Sequence, residues 1–91
     1  MMNELADALV SIEDREKMKR ILEELLTPAE LKNLELRWEL MKNLAEGIPQ
    51  REIARRHGIS LCKITRGSKI LKDPDSVTAE FIKPDNGKGQ R

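Results

Sequence analysis

The sequence predicts an all-α fold carrying a helix-turn-helix, and three observations predict it. Leu (12) and Ile (8) dominate the apolar residues while Val (2) and Thr (3) are scarce, which favours helix over sheet. The run Thr27-Pro28-Ala29-Glu30 is a complete helix-start signal, with a capping hydroxyl, a proline at the first helical position and a glutamate that can reach back. Ala54 and Gly58 stand four residues apart in a basic stretch, the spacing of a sharp turn between two short packed helices.

Taken in order, Leu5, Ala8, Leu9 and Ile12 recur at helical spacing and mark a first helix. Ser11 followed by Asp14 has the form of a capping box, so a second helix is expected from near residue 12, with Met18, Ile21, Leu22, Leu25 and Leu26 as its apolar set. The third runs from Pro28 to about Glu46 and closes at Gly47.

That third helix has too much apolar surface for a small monomer. Leu31, Leu34, Trp38, Met41 and Ala45 fall on one side, and Leu36, Leu40 and Leu44 on another. Together they span an arc of about 220°, against roughly 100° for an ordinary surface helix. Lys32, Glu35, Glu39, Lys42, Asn43 and Glu46 crowd the remaining polar face. An obligate homodimer, with a second copy covering one apolar face, is the economical solution. Arg37 lies inside the apolar arc, where its guanidinium needs either an ion pair with a partner subunit, a snorkelling path to water or an anionic ligand.

Residues 50–69 form the helix-turn-helix. Ala54 gives the close crossing, Gly58 the positive-φ turn, and Ile53, Ile59 and Ile64 the internal packing. Ser60 is placed to cap the second helix, whose Gly67 costs roughly 1 kcal/mol in propensity and so implies a close approach there. His57 is read as closing the end of the first. In this motif the N-terminal part of the second helix enters the major groove. Gln50, Arg51, Lys69 and Lys72 are expected on phosphates, with Arg51 also near enough for a guanine. Ser60, Leu61, Cys62 and Thr65 are candidates for base edges, thymine methyls or bridging waters, and Lys63, Arg66 and Ser68 are counted with them as DNA-binding residues. Cys62 can equally be a small packed residue.

Charge supports the same reading. The net charge is only +1, but residues 1–48 carry 7 basic and 11 acidic side chains, while residues 49–72 carry seven cations against Glu52 alone. A basic block inside an otherwise acidic chain is a footprint for a polyanion.

Ninety-one residues suit one helical domain over 1–83, with a disordered tail over 84–91. One Cys and one His leave no disulfide framework, too few ligands for a structural zinc site and few nucleophile–base pairs, so an enzyme is not expected. The lone thiol fits a reducing cytoplasm, and no apolar run is long enough for a membrane span. A protein-interaction adaptor using the wide apolar arc is the remaining alternative.

Within residues 25–72 stand Leu26-Thr27-Pro28, Arg37, Gln50-Arg51-Glu52 and above all Ile64-Thr65-Arg66-Gly67-Ser68. On these runs the chain resembles the Trp repressor (tryptophan operon repressor) family. That family is itself a standard illustration of helix-turn-helix docking and of water-mediated base contacts. The resemblance implies an intertwined homodimer that represses transcription at palindromic double-stranded operators, with L-tryptophan as corepressor. It implies that Arg37 and Arg66 sandwich the indole, that Gly67 lies beside the ring and Thr27 near the carboxylate. It also implies that the Leu26 carbonyl of the other subunit receives the ammonium group.

The chain departs from the family pattern in several places. Lys63 stands for a threonine, Ile70 for a serine and Met41 for a smaller residue. The Gly47–Gln50 loop is one residue shorter, and Pro84 cuts the last helix. A ligand-independent regulator, or one tuned to another metabolite, is the alternative on the same scaffold.

Overall fold

A computed structural model describes residues 1–82, and within them there are six helices and no strand. They are α1 (Met2–Val10), α2 (Arg15–Leu25), α3 (Pro28–Ala45), α4 (Gln50–His57), α5 (Leu61–Lys72) and α6 (Val77–Ile82). The chain divides into two compact units, Met1–Glu35 and a second beginning at Leu36. The tail expected over 84–91 and the helix stop expected at Pro84 lie outside the described residues.

In the first unit the helix ends are set by short polar side chains. Ser11 does not open a capping box. It closes α1, with its Oγ donating to the Ala8 carbonyl at 2.7 Å. Asp14 caps α2 instead, its Oδ1 accepting from the Glu16 N–H at 3.2 Å. A hydroxyl three residues upstream of an acid satisfies two competing patterns, and a hydroxyl that bonds back into the preceding turn cannot cap the next helix. The box at Thr27 forms as expected: Thr27 Oγ1 accepts from Glu30 N–H at 3.1 Å, and Glu30 Oε1 accepts from Thr27 N–H at 2.9 Å.

Among the described residues neither α1 nor α2 has a buried side chain, and Leu5 and Leu25 stand exposed. Leu34 and Trp38, one turn apart on α3, are also about half exposed. Helices with apolar stripes of this kind are stable only when something covers them.

The core of the second unit is small and well closed. Leu40 of α3, Ile53 of α4 and Ile64 of α5 meet at its centre, and Leu44, Ile48, Ala54 and Ile59 pack around them. Ile53 and Ile64 are wholly buried, each worth about 1.5–3 kcal/mol in apolar burial. The face of α3 bearing Leu40 and Leu44 is therefore the one this unit covers. Two further α3 residues join it: Met41, and Asn43, which is buried and not on the solvated face where its helical angle places it. The helix ends at Ala45, and Gly47 turns the chain with φ +84°.

Beyond α5, the Asp73 Oδ1 accepts from the Asp75 N–H at 2.9 Å and shapes the turn into α6. The Ser76 hydroxyl accepts from the Ala79 N–H at 3.1 Å, and α6 sets Ala79 and Ile82 inward.

Candidate nucleic-acid interface

The turn between α4 and α5 is built by Gly58, in the left-handed region at φ +62° and ψ +37°. Its N–H donates to the Ala54 carbonyl at 2.8 Å, and the Ile59 N–H reaches the same oxygen at 3.3 Å. Ala54 thus supplies both the small side chain at the crossing and the acceptor that closes the turn. A Cβ at residue 58 would meet no neighbour, so the requirement for glycine is conformational, not steric.

Ser60 occupies the N-cap position of α5, but its side chain makes no capping bond. Its hydroxyl is exposed and makes no hydrogen bond among the described residues. From there α5 presents one open, shallow face lined by Leu61, Cys62, Thr65, Arg66, Lys69 and Ile70. The first five of these are exposed. Lys63 and Lys72 are also exposed, and Ser68 is half-buried. Thr65 Oγ1 makes a long contact of 3.4 Å to Gln50 Oε1, joining the start of α4 to the middle of α5. This uses the Gln50 oxygen as acceptor and leaves its amide hydrogens for another partner.

The seven cations of residues 49–72 are not equivalent. Arg55 Nε donates to Glu52 Oε1 at 3.2 Å, and Arg56 Nε donates to Glu52 Oε2 at 3.0 Å. The Arg55 guanidinium, and then that of Arg56, hold the Glu52 carboxyl below the usual glutamate range. One carboxylate therefore occupies two arginines. Arg51, Lys63, Arg66, Lys69 and Lys72 make no ion pair among the described residues, and all five are exposed. An exposed unpaired cation on a helix is what a phosphate backbone can engage.

The residues expected around a small ligand are distributed over both units. Leu26 caps the C-terminal end of α2, and Thr27 opens α3 with its hydroxyl committed to Glu30. Arg37 is exposed and makes no ion pair among the described residues. It lies one turn before Met41 on α3. Gly67 is buried, and its face is taken by α3: a Cβ there would lie 2.9 Å from Met41 Sδ and 3.1 Å from Leu44 Cδ1. The close approach implied by a mid-helix glycine is thus made by the Met41 thioether.

Two residues carry more than the sequence reading gave them. His57 Nε2 lies 3.1 Å from Asn43 Oδ1, across 14 residues of chain. The only signal available was that Asn43 sits at the edge of the polar face, beside Leu36 on the helical wheel. No cluster of metal-ligating side chains occurs among the described residues, and no described helix is long and apolar enough to cross a membrane.

The profile of the Trp repressor protein family matches residues 1–85. The chain belongs to the Trp repressor family. Curated relatives agree: a Trp operon repressor homolog of Chlamydia trachomatis is 41% identical over 58 residues, covering 63% of this chain and 62% of the relative. That of Chlamydia caviae is 51% identical over 45 residues, covering 50% and 45%. That of Vibrio campbellii is 28% identical over 81 residues, covering 88% and 81%. The match to the chlamydial relatives thus spans less than two thirds of their length. No solved structure matches the chain. The Trp repressor family comprises repressor-type regulators, not enzymes, and its all-helical fold is the one observed.

Proposed function

We propose that the chain is a sequence-specific transcriptional repressor that binds palindromic double-stranded DNA as a homodimer, with L-tryptophan as corepressor. The observation that carries the reading is the α4–α5 unit, where a glycine turn presents an exposed helix face beside five cations that make no ion pair among the described residues. On this reading Gln50, Arg51, Lys63, Lys69 and Lys72 engage phosphates and set register and salt dependence. Ser60, Leu61, Cys62, Thr65, Arg66 and Ser68 lie at the groove, where they meet base edges, thymine methyls or bridging waters.

The homodimer is supported by apolar residues that stand exposed among the described residues, Leu5, Leu25, Leu34 and Trp38 among them. A second copy is the partner of matching chemistry, since the same stripes recur on it. A single-chain mass by light scattering would instead favour an adaptor that waits for a different partner.

For the corepressor, Arg37 and Arg66 supply planar cations that can stack on an indole, and Thr27, Gly67 and the Leu26 carbonyl complete the family's site. Ligand binding would shift the reading heads towards the geometry that fits adjacent major grooves. The test is an anisotropy titration on a duplex enriched by the chain from a randomised library, with and without L-tryptophan. Tighter binding with tryptophan is expected. No change at millimolar tryptophan would sink the corepressor.

One observation favours a second reading, a ligand-independent regulator on the same scaffold. Met41 fills the space against Gly67 where a planar ligand would lie. The variants Arg37→Ala and Arg66→Ala separate the two. If tryptophan is the corepressor, both abolish its effect. If it is not, Arg37→Ala alters stability alone, and Arg66→Ala weakens DNA binding directly.

A further inference from the structure

Asn43 is the one buried polar side chain among the described residues, 5% exposed, on the flank of α3 that faces the helix-turn-helix. Both ends of its amide are engaged. Oδ1 lies 3.1 Å from His57 Nε2, and Nδ2 donates to Glu39 Oε2 at 3.4 Å. The backbone carbonyl of Asn43 accepts from the Ile48 N–H at 3.1 Å, so the same residue holds the loop that leads into α4. The Glu39 carboxylate can only accept, which orients the amide nitrogen towards it and the amide oxygen towards the imidazole. His57 Nε2 must then carry the proton. His57 is the last residue of α4, directly before the Gly58 turn.

The remaining contacts between α3 and the helix-turn-helix are apolar: Leu40, Leu44, Ile53 and Ile64, with Met41 and Leu44 against Gly67. Apolar contacts favour closeness but tolerate rolling and sliding. A directional bond to a buried amide selects one angle, because any other leaves a buried polar atom without a partner. We propose that Asn43 and His57 form a polar tie that sets the angle of the reading head on α3, making both positioning residues for DNA recognition. The consequence for DNA rests on the DNA-binding reading above; the tie itself does not.

The test has two arms on the full chain. First, nitrogen NMR of the His57 ring, with the ring neutral and no DNA present, reads the tautomer. The tie requires the proton on Nε2, and a proton on Nδ1 overturns it. Second, anisotropy with the library-enriched duplex compares three variants. His57→Gln keeps an N–H donor and is expected within about threefold of the wild type. His57→Leu keeps bulk but loses the donor, leaves the Asn43 oxygen unpaired and is expected to bind about tenfold more weakly.

Asn43→Leu with His57→Leu removes both polar groups and keeps apolar bulk, so its melting temperature reports whether the fold survives. A folded double variant that still binds about tenfold more weakly assigns the loss to positioning. Equal affinity of His57→Gln and His57→Leu, or full recovery of DNA affinity in the double variant, overturns the proposal. A wild-type chain with the Nε2 proton that enriches no duplex overturns the DNA-binding reading and leaves the tie standing as a structural contact.

Discussion

The Met41 thioether lies against Gly67, so close that a single added methyl at residue 67 would sit 2.9 Å from its sulfur. This contact joins the middle of α3 to the middle of α5, and any side chain at residue 67 would have to displace the Met41 and Leu44 side-chain ends. Alanine at residue 67 gains about 1 kcal/mol of helix propensity but overpacks the crossing by about 1–3 kcal/mol. Gly67→Ala is therefore expected to destabilise the chain by about 1 kcal/mol in urea denaturation. Placed on a Met41→Ala background, where the sulfur is gone, the same change is expected to lose most of that penalty. An unchanged penalty there would show that Leu44, at 3.1 Å, is the limiting contact.

Thr27 and Glu30 exchange two hydrogen bonds at the start of α3, which satisfy the amides of both residues. Thr27→Ala removes one and is expected to cost about 1 kcal/mol. Thr27→Ser retains the acceptor and should lie within a few tenths of the wild type. Thermal melts of both variants followed by circular dichroism check the ordering.

Glu52 is held ionised by Arg55 and Arg56, its folded value lying below its unfolded one. Such a group adds stability that is present above the unfolded value and is lost as pH falls through the folded one. Glu52→Gln should therefore be less stable than the wild type at neutral pH, and the two melting curves should converge in acid. A difference that stays constant with pH would mean the arginines stabilise α4 by packing alone.

The same variant bears on DNA. Freeing Arg55 and Arg56 raises the charge of the basic block by one, so Glu52→Gln is expected to bind duplex DNA more tightly, with a steeper dependence on salt. Lys69→Ala and Lys72→Ala are expected to do the reverse, each lowering the slope of log affinity against log salt by about 0.9 if it releases one phosphate contact. A slope unchanged by both lysine variants would move the phosphate contacts to Arg51 and Lys63.

Much of the helix-turn-helix was legible because its features are local. Gly58 and Ala54 lie one helical turn apart, and a positive φ at a glycine followed by a capping position is written within a few residues. Thr27 to Glu30 is equally short. Ser11 shows how local signals fail: the same hydroxyl fits a cap behind it and a cap ahead of it, and its bond to the Ala8 carbonyl decides. Ser60 stands at its predicted cap position without making the bond, because position is fixed by backbone and the bond by a free rotor.

The sequence by itself determined the helical class, the start of α3 at Thr27, the Gly58 turn, the family and the separation of an acidic region from a basic one. Each of these follows from residues within a turn or two of one another, or from their sum. Only the tertiary structure decided which apolar face of α3 is covered within the second unit, that Met41 occupies the flank of Gly67, and that Asn43 is interior and bonded to His57. Helical periodicity assigns a residue an angle, and an angle becomes burial only when another helix arrives there. Asn43 sits at the border of two faces, and residues 14 positions away determine that it faces inward.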